Sequence, residues 1–218
     1  MEALHQNDHW EQPLVTLFVK VAAKPGSQQK AKEALLADVN GARTEAGNFK
    51  MELYRASNDP DSFYLFERWQ DRAALEDHFK QPYTQGAFDL QVNHLTAPIE
   101  MNYLEELWPV SRPYEKEIHR PLTTLIVPFE TRPECGEEFI AHFQKFVPLV
   151  REEPGNVEFH FYRVVGSDSR FVLYERWEAQ EYLDEHNRRP RTAAFVADIS
   201  PLLTRAVIDF VRFAQDIS

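Results

Sequence analysis

The chain has 218 residues, 24 basic against 35 acidic side chains and a formal net charge of -11, with 43% hydrophobic and 27% charged residues. This is the composition of a folded water-soluble protein, and its densest basic piece, Arg188-Arg189-Pro190-Arg191, is too short a footprint for a nucleic-acid partner. No apolar run approaches the ~18 residues of a membrane helix, Met1 to Gln12 lacks the apolar core of a signal peptide, and the single cysteine, Cys135, excludes an intrachain disulfide and Cys-rich metal sites, so a cytoplasmic protein is expected.

In chain order, a polar arm over residues 1–12 precedes a β-branched and aromatic run, Leu14 to Val21, which reads as a first strand. Ala31, Ala34, Leu35, Val39 and Ala42 recur at helical spacing over Ser27 to Arg43. Glu45-x-Gly47-Asn48 stops that helix, and Phe49 to Ala56 is a second strand. The turn Ser57 to Asp61 leads into a third strand, Phe63 to Trp69. Asp71 can cap a second helix, whose inner face carries Leu75 and Phe79 with His78 beside them. A helical piece near Phe88 to Leu95 and a last strand, Ile99 to Leu104, complete the unit.

The unit then recurs. Gly47-Asn48, Tyr54-Arg55, Glu67-Arg68-Trp69, Leu75 and His78 return as Gly155-Asn156, Tyr162-Arg163, Glu175-Arg176-Trp177, Leu183 and His186, at a constant offset of about 108 residues. About 20 of the 66 pairs from position 13 to 78 are identical. Two copies are too few for a solenoid, so the chain reads as two fused domains, 13–108 and 121–218, joined by a charged, proline-containing linker over 109–120. In the second copy Pro148 should end or kink the first helix a turn early, and the last strand is expected over Val207 to Phe213.

The order βαββαβ gives the fold class, α+β, with two ferredoxin-like domains in tandem. Strand Phe63-Tyr64-Leu65-Phe66-Glu67-Arg68-Trp69 carries large groups on both faces, whereas a one-sided sheet would alternate cleanly. The helix-free face is therefore expected to pack on the other copy's sheet.

Certain side chains in this frame could carry chemistry. His78 and His186 hold equivalent helix positions and would serve as general bases; the bland reading is a satisfied, semi-buried histidine. Glu67 and Glu175 sit mid-strand among apolar residues and need partners, either as catalytic carboxylates orienting those histidines or in structural pairs with Arg55 or Arg163. Trp69 and Trp177, on the same face by period two, are core residues or flat walls for an aromatic ligand. Asn48 and Asn156 are substrate contacts or turn residues tolerant of left-handed geometry. No His, Cys or carboxylate cluster has metal-ligand spacing.

Gly-Asn-x(5)-Tyr-Arg, then Phe-x-Leu-x-Glu-Arg-Trp, then Leu-x-x-His resembles the antibiotic biosynthesis monooxygenase domain family, of the dimeric α+β barrel superfamily. The resemblance covers most of each half. It implies that the two halves form within one chain the barrel that two chains usually form, as an intrachain pseudo-dimer that could pair further into a homodimer. It also implies a cofactor-independent monooxygenase acting on a small aromatic or quinol-like substrate and dioxygen, with Tyr54 and Tyr162 added as substrate contacts. No cofactor is expected, and haem is disfavoured because His78 or His186 stands where a haem-distorting Trp would be wanted. A cofactor-free isomerase and a non-catalytic small-molecule-binding protein are the alternatives. If one site alone is active, the first is expected, because its helix carries Ala where the second carries aromatic residues.

Overall fold

The computed structural model describes residues 14–57, 59–107 and 119–218; the expected N-terminal arm and positions 109–118 of the linker lie outside the described residues. The first half runs β1 (Val15–Ala22), α1 (Gln28–Ala42), β2 (Asn48–Ala56), β3 (Asp59–Trp69), α2 (Arg72–His78), α3 (Pro82–Phe88), α4 (Leu90–Asn93) and β4 (Glu100–Glu106). The second runs β5 (Thr123–Glu130), α5 (Gly136–Arg151), β6 (Asn156–Val164), β7 (Arg170–Trp177), α6 (Gln180–Arg188), α7 (Pro190–Ile199), α8 (Val207–Phe210) and β8 (Arg212–Asp216). Among the described residues no helix is long and apolar enough to cross a membrane.

The strands close into one antiparallel barrel in the order β1-β3-β2-β8-β5-β7-β6-β4. Each half contributes four adjacent strands, and its last strand pairs with the other half's second one: β4 with β6, and β8 with β2. Closure leaves neither four-stranded sheet with an open edge. It also explains the apolar groups on both faces of β3. Phe63, Leu65 and Trp69 pack under the helices of their own half, while Phe18, Tyr64 and Phe66 join Tyr162 and Tyr174 inside the barrel.

Residues that the repeat makes equivalent touch one another in the barrel, as they must on a two-fold axis. The rings of Phe66 and Tyr174 stack with centroids 3.8 Å apart, and Lys50 Nζ donates to Glu158 Oε2 at 2.6 Å. Around them Tyr54 and Tyr174 hydroxyls meet at 2.7 Å, and Arg68 donates to the Tyr162 hydroxyl at 2.8 Å. These side chains fill the middle of the barrel.

Local rules explain most element ends. Asp71 Oδ1 accepts the Ala74 N–H at 2.8 Å, capping α2 as expected. Pro82 and Pro190 open α3 and α7, where a missing N–H costs no helical bond. The expected helical piece near Phe88 to Leu95 is therefore two short helices, the first starting earlier. Gly155 has φ +74 and lies against Tyr182, where a Cβ would fall 2.1 Å from the ring.

Two expectations are corrected. Helix α5 does not end a turn early but continues through Pro148 to Arg151. Gln144, whose carbonyl loses its partner to the proline, is exposed, so solvent can take the place of the missing N–H. Val207–Phe210 forms a helical turn, and the final strand is Arg212–Asp216. Pairing of Ala214 with Ala56 on one side and with Thr124 on the other fixes that register.

Candidate active site

In the first half the structure brings three expected residues together. Glu67 and Trp69 share the helix-facing side of β3, and the indole Nε1 donates to Glu67 Oε2 at 2.9 Å. His78, at the end of α2, lies on that indole with centroids 4.4 Å apart. Glu67 is not the partner of Arg55, which donates to the Pro60 carbonyl.

The hydrogen-bond partner of the histidine is a residue whose sequence signal is only that of a helix stop. His78 Nδ1 is 2.8 Å from Glu45 Oε1, and Tyr83 donates its hydroxyl to the same oxygen at 2.9 Å. A carboxylate on Nδ1 selects the tautomer whose lone pair is at Nε2. That nitrogen is 3.6 Å from Asp38 Oδ1, and Thr84 Oγ1 is 3.4 Å away. Asp38 Oδ1 is buried and has no hydrogen-bond partner among the described residues. Burial raises the Asp38 carboxyl, with His78 opposing the rise, and pushes Glu67 up to about 7 against the same imidazole. Two buried carboxyls, both pushed up by burial, thus converge on the His78 imidazole.

The imidazole borders a cavity of about 30 Å³ between the sheet and the helices, walled by Leu35, Leu65, Phe79, Ala87 and Phe88. It has room for about two waters.

The second half keeps the frame but surrounds its histidine differently. His186 Nδ1 is 3.1 Å from Glu153 Oε2, the equivalent of Glu45. Here Arg191 and Arg189 hold that carboxylate as well, at 2.7 and 3.1 Å. Asp38 is replaced by Phe146 and Ala87 by Phe195, and these two rings stack at 3.8 Å in the equivalent space. Phe143, in place of Leu35, stacks on Phe161 at 3.8 Å. Glu175 accepts from Trp177 at 3.0 Å and is raised by burial to about 7, while burial lowers His186. Arg163, the other expected carboxylate partner, pairs with Glu137.

The remaining expected residues lie elsewhere. Tyr54 and Tyr162 are fully buried in the barrel, on the opposite face of the sheet from His78 and His186. Asn48 and Asn156 open strands rather than adopt left-handed turns. Their amides donate to the carbonyls of Lys50 and Glu158 at 3.3 and 3.4 Å, spanning the bulge where each register shifts. Among the described residues one group has ligand spacing: Glu52, His119 and Asp216, with donor atoms within 4.8 Å. Arg43 Nη2 lies 2.9 Å from Glu52 and 3.1 Å from His119, so a fixed cation already serves it.

The raised carboxyls give a pH signature. A carboxyl near 7 when folded and 4.5 when unfolded binds more protons in the folded state between those values, so stability falls as pH rises through that window. The penalty is absent below about 4.5 and full above about 7, at roughly 3 kcal/mol per group. Glu67→Gln and Glu175→Gln keep an acceptor for each indole and remove the charge. Both variants should match the parent in urea denaturation near pH 4.5 and exceed it by a few kcal/mol near pH 8.

The profile of the family described as "Antibiotic biosynthesis monooxygenase" matches residues 14–90 and 123–198. "Putative monooxygenase YcnE" of Bacillus subtilis (strain 168) is 34% identical over 83 residues, covering 38% of this chain and 86% of that protein. The crystal structure of a "Putative monooxygenase" from Fusobacterium nucleatum covers 95% of this chain and 94% of its own, with TM-score 0.78 and 12% identity. The structure of an "anthrone oxidase-like protein" covers 96% and 93%, with TM-score 0.68 and 14% identity. At these identities the two structures speak for the fold alone, a tandem barrel within one chain. The two matched segments each span one βαββα core and its histidine helix, and on that ground the chain belongs to the antibiotic biosynthesis monooxygenase family.

Proposed function

We propose that the first half carries a single active site, at which a small aromatic or quinol-like substrate is oxygenated by dioxygen without flavin or metal. The observation that carries this reading is the His78 imidazole, oriented by Glu45, which lines a cavity whose counterpart in the second half is occupied by stacked phenylalanines. His78 removes a phenolic proton through Nε2. The electron-rich anion passes an electron to dioxygen, and the resulting pair recombines to a peroxide with one new C–O bond. Loss of water from the peroxide leaves a carbonyl, so one oxygen atom enters the product and the other leaves as water. The proton held by His78 returns to the departing oxygen. Burial favours the protonated form of Asp38 and Glu67 in the same cluster, and the aromatic walls exclude water from the reactive anion.

The substrate needs more room than about 30 Å³. It enters by displacing Phe79 and Phe88, two half-buried rings with centroids 5.7 Å apart on the open side of the cavity.

Oxygen uptake with quinols and hydroxyanthrones, on chelator-treated and flavin-free protein, tests the proposal. Labelled dioxygen should place one labelled atom in the product. Turnover that persists without oxygen would sink the oxygenase reading and favour an acid–base isomerase built on the same Asp38–His78 pair. Ala87→Phe, which copies Phe195, should abolish turnover at a folding cost of about 1–3 kcal/mol, read from thermal unfolding.

A further inference from the structure

One mouth of the barrel opens into a cavity of about 190 Å³ that is distinct from the His78 site. Its floor is apolar: Phe18 and Tyr64 stack with centroids 5.5 Å apart and planes 19° apart, beside Val172. Its rim is cationic, with Lys20, Arg170, Arg205 and Arg212 against Glu100 and Glu130. Four cations against two carboxylates stand out in a chain of net charge -11.

The cations are unequally engaged. Arg170 is held by Glu100 and Asn102, both at 2.8 Å. Arg212 donates to the carbonyls of Asp209 and Val211 and lies within reach of the Tyr64 hydroxyl. The Lys20 side chain has no ion pair or hydrogen bond among the described residues and is half-buried at the rim. Both halves build the mouth, and the repeat does not duplicate it: Lys20 corresponds to Pro128, Tyr64 to Val172 and Ser62 to Arg170. The charges thus do not follow from the repeated frame, and no barrel contact described above uses Lys20.

We propose that this mouth binds a small aromatic carboxylate, its ring against Phe18 and Tyr64 and its carboxylate between Lys20 and Arg212. A flat wall selects a ring, the volume admits about one, and a cationic rim over a low-dielectric floor concentrates an anion. The site is independent of the oxygenase reading, since none of its residues touches His78.

Calorimetric titration of the full chain with benzoate tests this. Benzoate should bind at millimolar concentration or below, more weakly as salt is raised, and benzyl alcohol should bind at least about tenfold more weakly. Lys20→Met and Arg212→Met should each weaken benzoate binding by about tenfold or more, whereas Ala87→Phe at the other cavity should leave it unchanged. Equal binding of benzyl alcohol, unaltered binding in Lys20→Met, or no heat with the parent protein overturns the proposal. Lys20 is half-buried at a strand end, so its variant carries the test alone if Arg212→Met fails to fold.

Discussion

Lys50→Glu is expected to destabilise the protein by about 3–5 kcal/mol, measured by urea denaturation. Lys50 is 3% exposed, and its ammonium is 2.6 Å from Glu158 and 5.2 Å from the centre of the Tyr174 ring. Burial alone would raise the Glu158 carboxyl, but Lys50, His160 and Arg176 outweigh it and hold the group well below the ordinary range. A second carboxylate at position 50 removes the main compensating charge and adds repulsion in a place water cannot reach. Glu158→Lys should cost a similar amount, since it leaves two ammonium groups beside Arg176. Because positions 50 and 158 face each other across the pseudo-two-fold axis, the swap Lys50→Glu/Glu158→Lys should recover at least about half of the loss. A swap as unstable as either single variant would show that the pair is not exchangeable about that axis. The same pair explains why the fused halves pair with each other. A barrel made from two first halves would bury two lysines on its axis, and one made from two second halves would bury two glutamates.

Much of this barrel is legible in the sequence because strands that bury both faces lack polar alternation. Phe63 to Trp69 could face nothing but two cores, and the repeat supplied the second. The Glu67–Trp69 bond is legible as well, since period two puts both side chains on one face. Glu45 was missed because it stands 33 residues before His78, with a strand pair between them. Its signal was present: Glu153 precedes His186 by the same 33 positions. Asp38 left no such signal, because its counterpart is Phe146 and a feature found in one copy does not show in a repeat. Tyr54 and Tyr162 recur for a different reason than the histidines. They fill the barrel, whose closure depends on pairings between halves that no local pattern encodes.

The divergence of the two copies makes a sharper forecast about the histidines than their recurrence does. His78→Ala should lower quinol-dependent oxygen uptake by about 10²–10⁴-fold, the usual range for a lost general base. His186→Ala should leave that rate within about threefold of the parent, since Glu153 keeps Arg189 and Arg191 and the surrounding space is already closed by Phe146 and Phe195. Its effect should fall on stability instead, as a buried imbalance of about 1–3 kcal/mol. Glu45→Gln separates orientation from chemistry. An amide can still accept from Tyr83 but no longer balances a proton on His78, so kcat should fall while KM holds, and added imidazole should restore part of the rate to His78→Ala but none to Glu45→Gln. Equal losses from His78→Ala and His186→Ala would mean that both halves are catalytic, and that the phenylalanine plug in the second half opens for substrate.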